Sequence, residues 1–147
     1  MGYKSIVCAV TGSEPGKKAA MRAATIAKAD GADLTYVYAV DLTFLRGGRT
    51  GLATSHQVEL SLEDLGRHIL DSVEEIARTQ GVAARKLILK GPVQEVLKKV
   101  ILEQRADLLI LGHEDRTFFE KFLMEGDAED HIERLKKETG VDVAVIK

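Results

Sequence analysis

The chain has 147 residues, 45% of them hydrophobic and 30% charged, with a formal net charge of -2. That length and mix fit one globular domain spanning residues 1–147 and able to bury its own core, and with no basic stripe there is no electrostatic case for a nucleic-acid partner. Cys8, the one cysteine, rules out an internal disulfide and suits a reducing compartment.

Met1-Gly2-Tyr3-Lys4 leads straight into an apolar run with no leader-like segment before it. No stretch approaches the ~20 apolar residues of a membrane helix. The expectation is a soluble, cytoplasmic protein without a membrane partner.

Ser5–Val10 is a continuous apolar run closed by Thr11-Gly12-Ser13-Glu14-Pro15-Gly16, the pattern of a strand buried on both faces. A helix is predicted from Ser13 to Ala29, capped by Ser13, with Pro15 tolerated in its first turn and Gly31 closing it. Leu34–Val40, rich in β-branched and aromatic residues, is the second strand. Asp41 to His56 is a loop holding Gly47, Gly48 and Gly51.

The next helix runs from Gln57 to Gln80, with Val58, Leu62, Leu65, Ile69, Val73 and Ile76 on one face. Lys86–Leu89 is the third strand, and Gly91-Pro92 turns into a helix over Val93, Val96, Leu97, Val100 and Ile101. Asp107–Leu111 is the fourth strand and Gly112–Arg116 a loop. A short helix with Phe118, Phe119, Phe122 and Leu123 ends at Gly126. Asp127 caps a last helix through Ile132 and Leu135 to Gly140, and Val141–Ile146 is the fifth strand. This alternation predicts an open parallel α/β sheet, Rossmann-like, with helices on both faces. Ligands of such sheets bind beyond the carboxyl ends of the strands, which singles out Thr11–Pro15, Asp41–His56 and Gly112–Asp127.

Familiar chemistry is mostly missing. Gly12-Ser13-Glu14-Pro15-Gly16-Lys17-Lys18 has one residue too few between its glycines for a P-loop and lacks the hydroxyl after the lysine. No G-x-G-x-x-G follows a strand. His56, His68, His113 and His131 show no zinc spacing, and His113-x-Asp115 offers two weak ligands where a metal site needs more. Cys8, mid-strand, reads as a small buried residue rather than a reactive thiol. No catalytic pair and no metal site stands out.

Taken in order, Ile6–Glu14 resembles the opening strand and V-D-G-S-E loop of the universal stress proteins. Ala106–His113 resembles their A-D-L-I-V-M-G segment, and Val141–Ile146 resembles their closing strand. The resemblance covers the whole chain. It implies a five-stranded sheet in the order 3-2-1-4-5 and a homodimer through the C-terminal strand, Val141–Lys147, whose apolar edge would otherwise lie unpaired. It also implies a nucleotide cleft. Thr11, Gly12 and Ser13 would line it after the first strand, Val40 and Asp41 after the second. His113, Asp115, Arg116, Gly126 and Asp127 would follow Gly112 after the fourth.

ATP-binding members carry G-x2-G-x9-G-[ST] at this last position, where glycines let backbone N–H groups reach phosphate. Here Gly112 matches, but Asp115 replaces the second glycine, Gly126 falls one residue late, and Asp127 replaces the hydroxyl residue. Thr11 stands where the binders keep an aspartate. Glu114, Asp115, Glu120, Glu125, Asp127, Glu129 and Asp130 outnumber Arg116 and Lys121 over this stretch. At an effective dielectric of ~20, one like-charge pair at 4 Å costs about 4 kcal/mol before screening. The expectation is a regulatory stress-response protein with a degenerate nucleotide cleft and no enzymatic turnover. The alternative is a protein that binds ATP with magnesium and hydrolyses it slowly or not at all, with Arg46 and Arg49 folding over the phosphates. An ATP pyrophosphatase relative is disfavoured, because Thr11-Gly12-Ser13-Glu14 is not the S-G-G-x-D-S loop of those enzymes.

Overall fold

Five runs of apolar and β-branched residues form the strands β1 (Ser5–Ala9), β2 (Asp33–Val40), β3 (Ala84–Lys90), β4 (Leu108–Gly112) and β5 (Asp142–Ile146). The computed structural model describes residues 2–10, 14–40, 55–112 and 128–146. All strand pairs are parallel, and the sheet order is β3-β2-β1-β4-β5. Helices α1 (Glu14–Asp30), α2 (Ser55–Thr79), α3 (Val93–Gln104) and α4 (Ala128–Thr139) connect them. The expected fold class and strand order are both present. The short helix expected over Phe118–Gly126 lies outside the described residues.

Strand residues alternate between two cores. Ile6, Cys8, Val10, Leu34, Tyr36, Tyr38, Val40, Leu108 and Ile110 belong to the core under α1 and α2. Val7, Ala9, Val37, Leu109 and Leu111 belong to the core under α3 and α4, with Val96, Leu97, Val100, Ile101 and Leu135. Helix α1 stops where Gly31 takes a φ of 65°, and the Ala32 N–H reaches back to the Ala27 carbonyl at 2.9 Å. This is the left-handed closure that glycine permits without strain.

In α2 the contact face differs from the one expected. Leu65 is 49% exposed, whereas Gly66, Leu70, Val73 and Ala77 are buried and Leu62, Ile69 and Ile76 half-buried. The reason is Gly66. A Cβ there would stand 2.5 Å from Cδ1 of Tyr38 and 2.8 Å from Cδ1 of Ile88. The helix presses its bare backbone onto the sheet at this point, and that rotates Leu65 outward. The outer edge of the same contact is polar. The Lys86 ammonium reaches Asp71 (2.8 Å) and Glu74 (3.1 Å), and the Lys90 ammonium pairs with Glu59 and Glu63. These charges line β3, an outer strand, where they discourage edge-to-edge pairing.

At the amino ends of the strands Asp107 ties β1, β4 and β5 together. Its carboxylate accepts the N–H groups of Lys4 (2.9 Å) and Ser5 (3.0 Å). Its own N–H donates to the Ser5 carbonyl (2.9 Å), and its carbonyl accepts the Asp142 N–H (3.1 Å). The Tyr3 hydroxyl donates to the Asp142 carboxylate at 3.1 Å, and that bond is the main cause of its raised pKa.

Candidate functional site

From β1 the chain moves outward through β2 to β3, then returns across the sheet to β4 and β5. The strand order therefore reverses between β1 and β4. A crevice at the carboxyl ends is the consequence of that topology.

Three described residues form the sheet side of the crevice. Val10 follows β1, is 3% exposed, and donates its N–H to the Val37 carbonyl at 2.9 Å. Val40 ends β2 and is 1% exposed. Gly112 is the last residue of β4 rather than the first of a loop, paired in register with Ile146. Of the residues predicted for the cleft, the structure thus places Val40 and Gly112 at strand ends on either side of β1, with Val10 between them. Thr11, Gly12, Ser13, Asp41, His113, Asp115, Arg116, Gly126 and Asp127 lie outside the described residues.

One contributor was missed. The Gly91 N–H donates to the Val40 carbonyl at 3.0 Å, so the turn after β3 is fastened to the end of β2. Gly91 has a φ of 136°, open to glycine and strained for other residues. The Pro92 carbonyl then accepts the Val96 N–H at 3.0 Å and starts α3. The Gly91-Pro92 pair was legible as a turn. That it fixes the Val40 carbonyl, and so takes one acceptor away from any ligand, was not.

The side chains of Val10 and Val40 are buried in the core under α1 and α2, so at these strand ends they offer backbone rather than side-chain surface. Cys8 is buried on the α1–α2 side, as its position in the strand suggested. It is paired in register with Tyr36, whose hydroxyl donates to the Ala20 carbonyl at 2.8 Å and whose pKa is pushed up by burial. Neither group faces solvent. Among the described residues no cluster of His, Cys, Asp or Glu could hold a metal ion. No described helix is long and apolar enough to cross a membrane.

Comparison with known proteins agrees with this geometry. The chain is 29% identical over 148 residues to a universal stress protein of Methanocaldococcus jannaschii, covering 99% of this chain and 82% of that one. A universal stress protein from Burkholderia pseudomallei superposes with a TM-score of 0.74 at 23% identity, covering 98% of this chain and 96% of its own. A universal stress protein in complex with cAMP has a TM-score of 0.71 at 20% identity, covering 99% and 98%. One from Archaeoglobus fulgidus in complex with dAMP has a TM-score of 0.63 at 19% identity, covering 100% of each. The sequence model of the Universal stress protein family matches residues 2–147, and the chain belongs to that family.

Proposed function

We propose that this is a regulatory stress-response protein that acts by binding rather than by turnover. Its strand-end cleft keeps the surface for an adenine base but has lost the surface for a triphosphate. Any nucleotide it holds carries one phosphate. The observation that carries this reading is the contrast between the two ends of the cleft. The base end is backbone at Val10 and Val40, whose side chains are buried and carry no charge against a ligand. The phosphate end carries Asp115 and Asp127 where a glycine and a hydroxyl residue are needed, within a stretch dominated by acids. Each added phosphate brings more negative charge against those carboxylates, so the penalty grows from a monophosphate to a triphosphate. Structural neighbours solved with cAMP and dAMP, both single-phosphate ligands, support this preference.

The same reading includes a homodimer through β5. This strand is the outer member of the sheet, and Val143–Ile146 are half-buried along it. Pairing with a second copy would satisfy its open edge.

The test is a thermal melt with AMP, cAMP and ATP-magnesium at millimolar concentration, after mass spectrometry of any ligand carried through purification. A ligand at a hundredfold its Kd adds about 2.7 kcal/mol, which is several degrees for a domain of this size. The expected result is a shift with a monophosphate and none with ATP-magnesium. An equal or larger shift with ATP-magnesium favours the second reading, a working ATP site in which magnesium bridges the acidic loop. No shift with any of the three removes the nucleotide from the function.

A further inference from the structure

At the amino ends of the strands, one side chain makes a contact that no strand ladder requires. The segment Tyr3–Ser5 enters β1 already held by its neighbours. The Tyr3 N–H donates to the Asp30 carboxylate at the end of α1 (2.9 Å), and the Lys4 carbonyl accepts the Asp33 N–H at the start of β2 (3.0 Å). The Lys4 and Ser5 N–H groups donate to the Asp107 carboxylate just before β4. The Ser5 hydroxyl donates to the Gln104 carbonyl at the end of α3 (3.0 Å). With its backbone tied in this way, Tyr3 has a set position. Its ring packs against the core under α1 and α2, and its hydroxyl reaches Asp142, the first residue of β5, at 3.1 Å. Strands β1 and β5 are not neighbours, because β4 lies between them. Adjacent strands stand ~4.8 Å apart, so the tyrosine spans the foot of a whole strand to touch the outer one.

We propose that Tyr3 is a strut that holds the amino end of β5 in its pairing position and thereby sets the affinity with which a second copy of this chain docks on the β5 edge. This rests on the homodimer reading above and names the residue that tunes it. Strand β5 is an outer strand, so β4 alone supplies its ladder. Its amino end is its weak end: Asp142 is exposed, whereas Val143–Ile146 are half-buried. Two bonds hold that end, from the Asp142 N–H to the Asp107 carbonyl (3.1 Å) and from the Tyr3 hydroxyl to the Asp142 carboxylate. Since Asp142 turns its N–H toward β4, alternation along the strand turns the peptide groups of Val143 and Val145 toward the open edge. The strut grips a side chain and leaves that edge to the partner. When two copies of an edge strand pair antiparallel about a two-fold axis, the amino end of each meets the carboxyl end of the other. A frayed amino end therefore costs bonds at both ends of the interface, once for each copy.

The test is Tyr3→Phe in the full chain, which keeps the packed ring and removes only the hydroxyl. Hydrogen exchange is followed in dilute, monomeric protein, and the dimer Kd is measured by sedimentation. The amides of Asp142 and Val143 should exchange about fivefold faster than in the parent, the margin of one hydrogen bond, with those of β2 and β3 unchanged. The dimer Kd should rise about fourfold, because a fall of about twofold in the paired fraction of β5 counts once in each copy. Unchanged exchange at β5 overturns the strut, and faster exchange with an unchanged Kd overturns its hold on the dimer. A parent chain that stays monomeric at every concentration overturns the homodimer itself. That outcome is read before any variant is made, so the two failures remain distinct.

Discussion

Helices α1 and α3 cover opposite faces of one sheet with opposite kinds of side chain. Helix α1 buries Ala19, Ala20, Ala23, Ala24 and Ala27, whereas α3 buries Val96, Leu97, Val100 and Ile101. The sheet compensates. Toward α1 it presents Tyr36, Ile6, Leu34 and Ile110, and toward α3 it presents Val7, Ala9 and Val37 alongside Leu109. Interior packing has the density of a crystal, so where the helix is thin the strands must be thick. The bulk that fills each half of the core is therefore supplied by different elements, and the two faces should fail in opposite ways when mutated.

The largest expected effect is on the α3 face. Leu97→Ala, at a position 1% exposed, removes bulk that no neighbour can replace and should cost about 3 kcal/mol in denaturant unfolding. On the α1 face removal is not the hazard. Ala23→Leu inserts atoms where the helix already touches the sheet and should cost about 2 kcal/mol. If Ala23→Leu were neutral, the close approach of α1 would be wrong and the comparison would collapse.

Gly66→Ala extends the test to α2. Collision with Tyr38 and Ile88 opposes a helix-propensity gain of about 1 kcal/mol. A net loss of about 1 kcal/mol is expected, relieved when Ile88→Val is added.

Tyr36→Phe should cost about 1 kcal/mol, because the Ala20 carbonyl loses the buried hydroxyl that donates to it. It also has a pH signature. Burial raises the Tyr36 pKa in the fold, so its contribution is complete below the ordinary tyrosine pKa of about 10 and declines as pH rises above it. The parent should lose melting temperature more steeply than Tyr36→Phe in that alkaline range. The smallest effect belongs to the surface. Lys86 lowers the pKa of the exposed Asp71. That contribution is present above the ordinary carboxylate pKa and lost as pH falls through the lowered one. Asp71→Asn should therefore lower the melting temperature slightly at neutral pH and converge with the parent at low pH, flattening the acid side of the profile.

How much of this the sequence disclosed depends on what each feature rests on. The strands β1 and β4 were plain, because a strand covered on both faces has no polar alternation to confuse it. Helix α2 was placed well, and Leu62, Ile69, Val73 and Ile76 of its expected face do pack on the core, but Leu65 does not. Periodicity ranks residues by apolarity and so favoured Leu65, whereas the line of contact is set by the smallest residue, Gly66, which allows the closest approach. At the site, Val40 was legible as a strand end because the βαβ rhythm dictates where strands stop, whereas Gly112 was read as the first residue of a loop and is the last of β4. The fastening of Val40 by Gly91 was not, since it joins residues whose proximity exists only after β2 and β3 have paired.

The bonds of Asp107 bear on the order in which the molecule can be assembled. Strand β1 emerges first from synthesis and can pair with β2 across a short stretch of chain. Its other neighbour, β4, is held at Lys4 and Ser5 by a carboxylate more than a hundred residues downstream. Closing that distance costs loop entropy before any contact repays it, and pairings of such high contact order form slowly. The pairing of β1 with β4 therefore closes the longest stretch of chain of any strand pair in the sheet. A ligand at the proposed cleft would thus be held only by chains in which β1 and β4 have already paired.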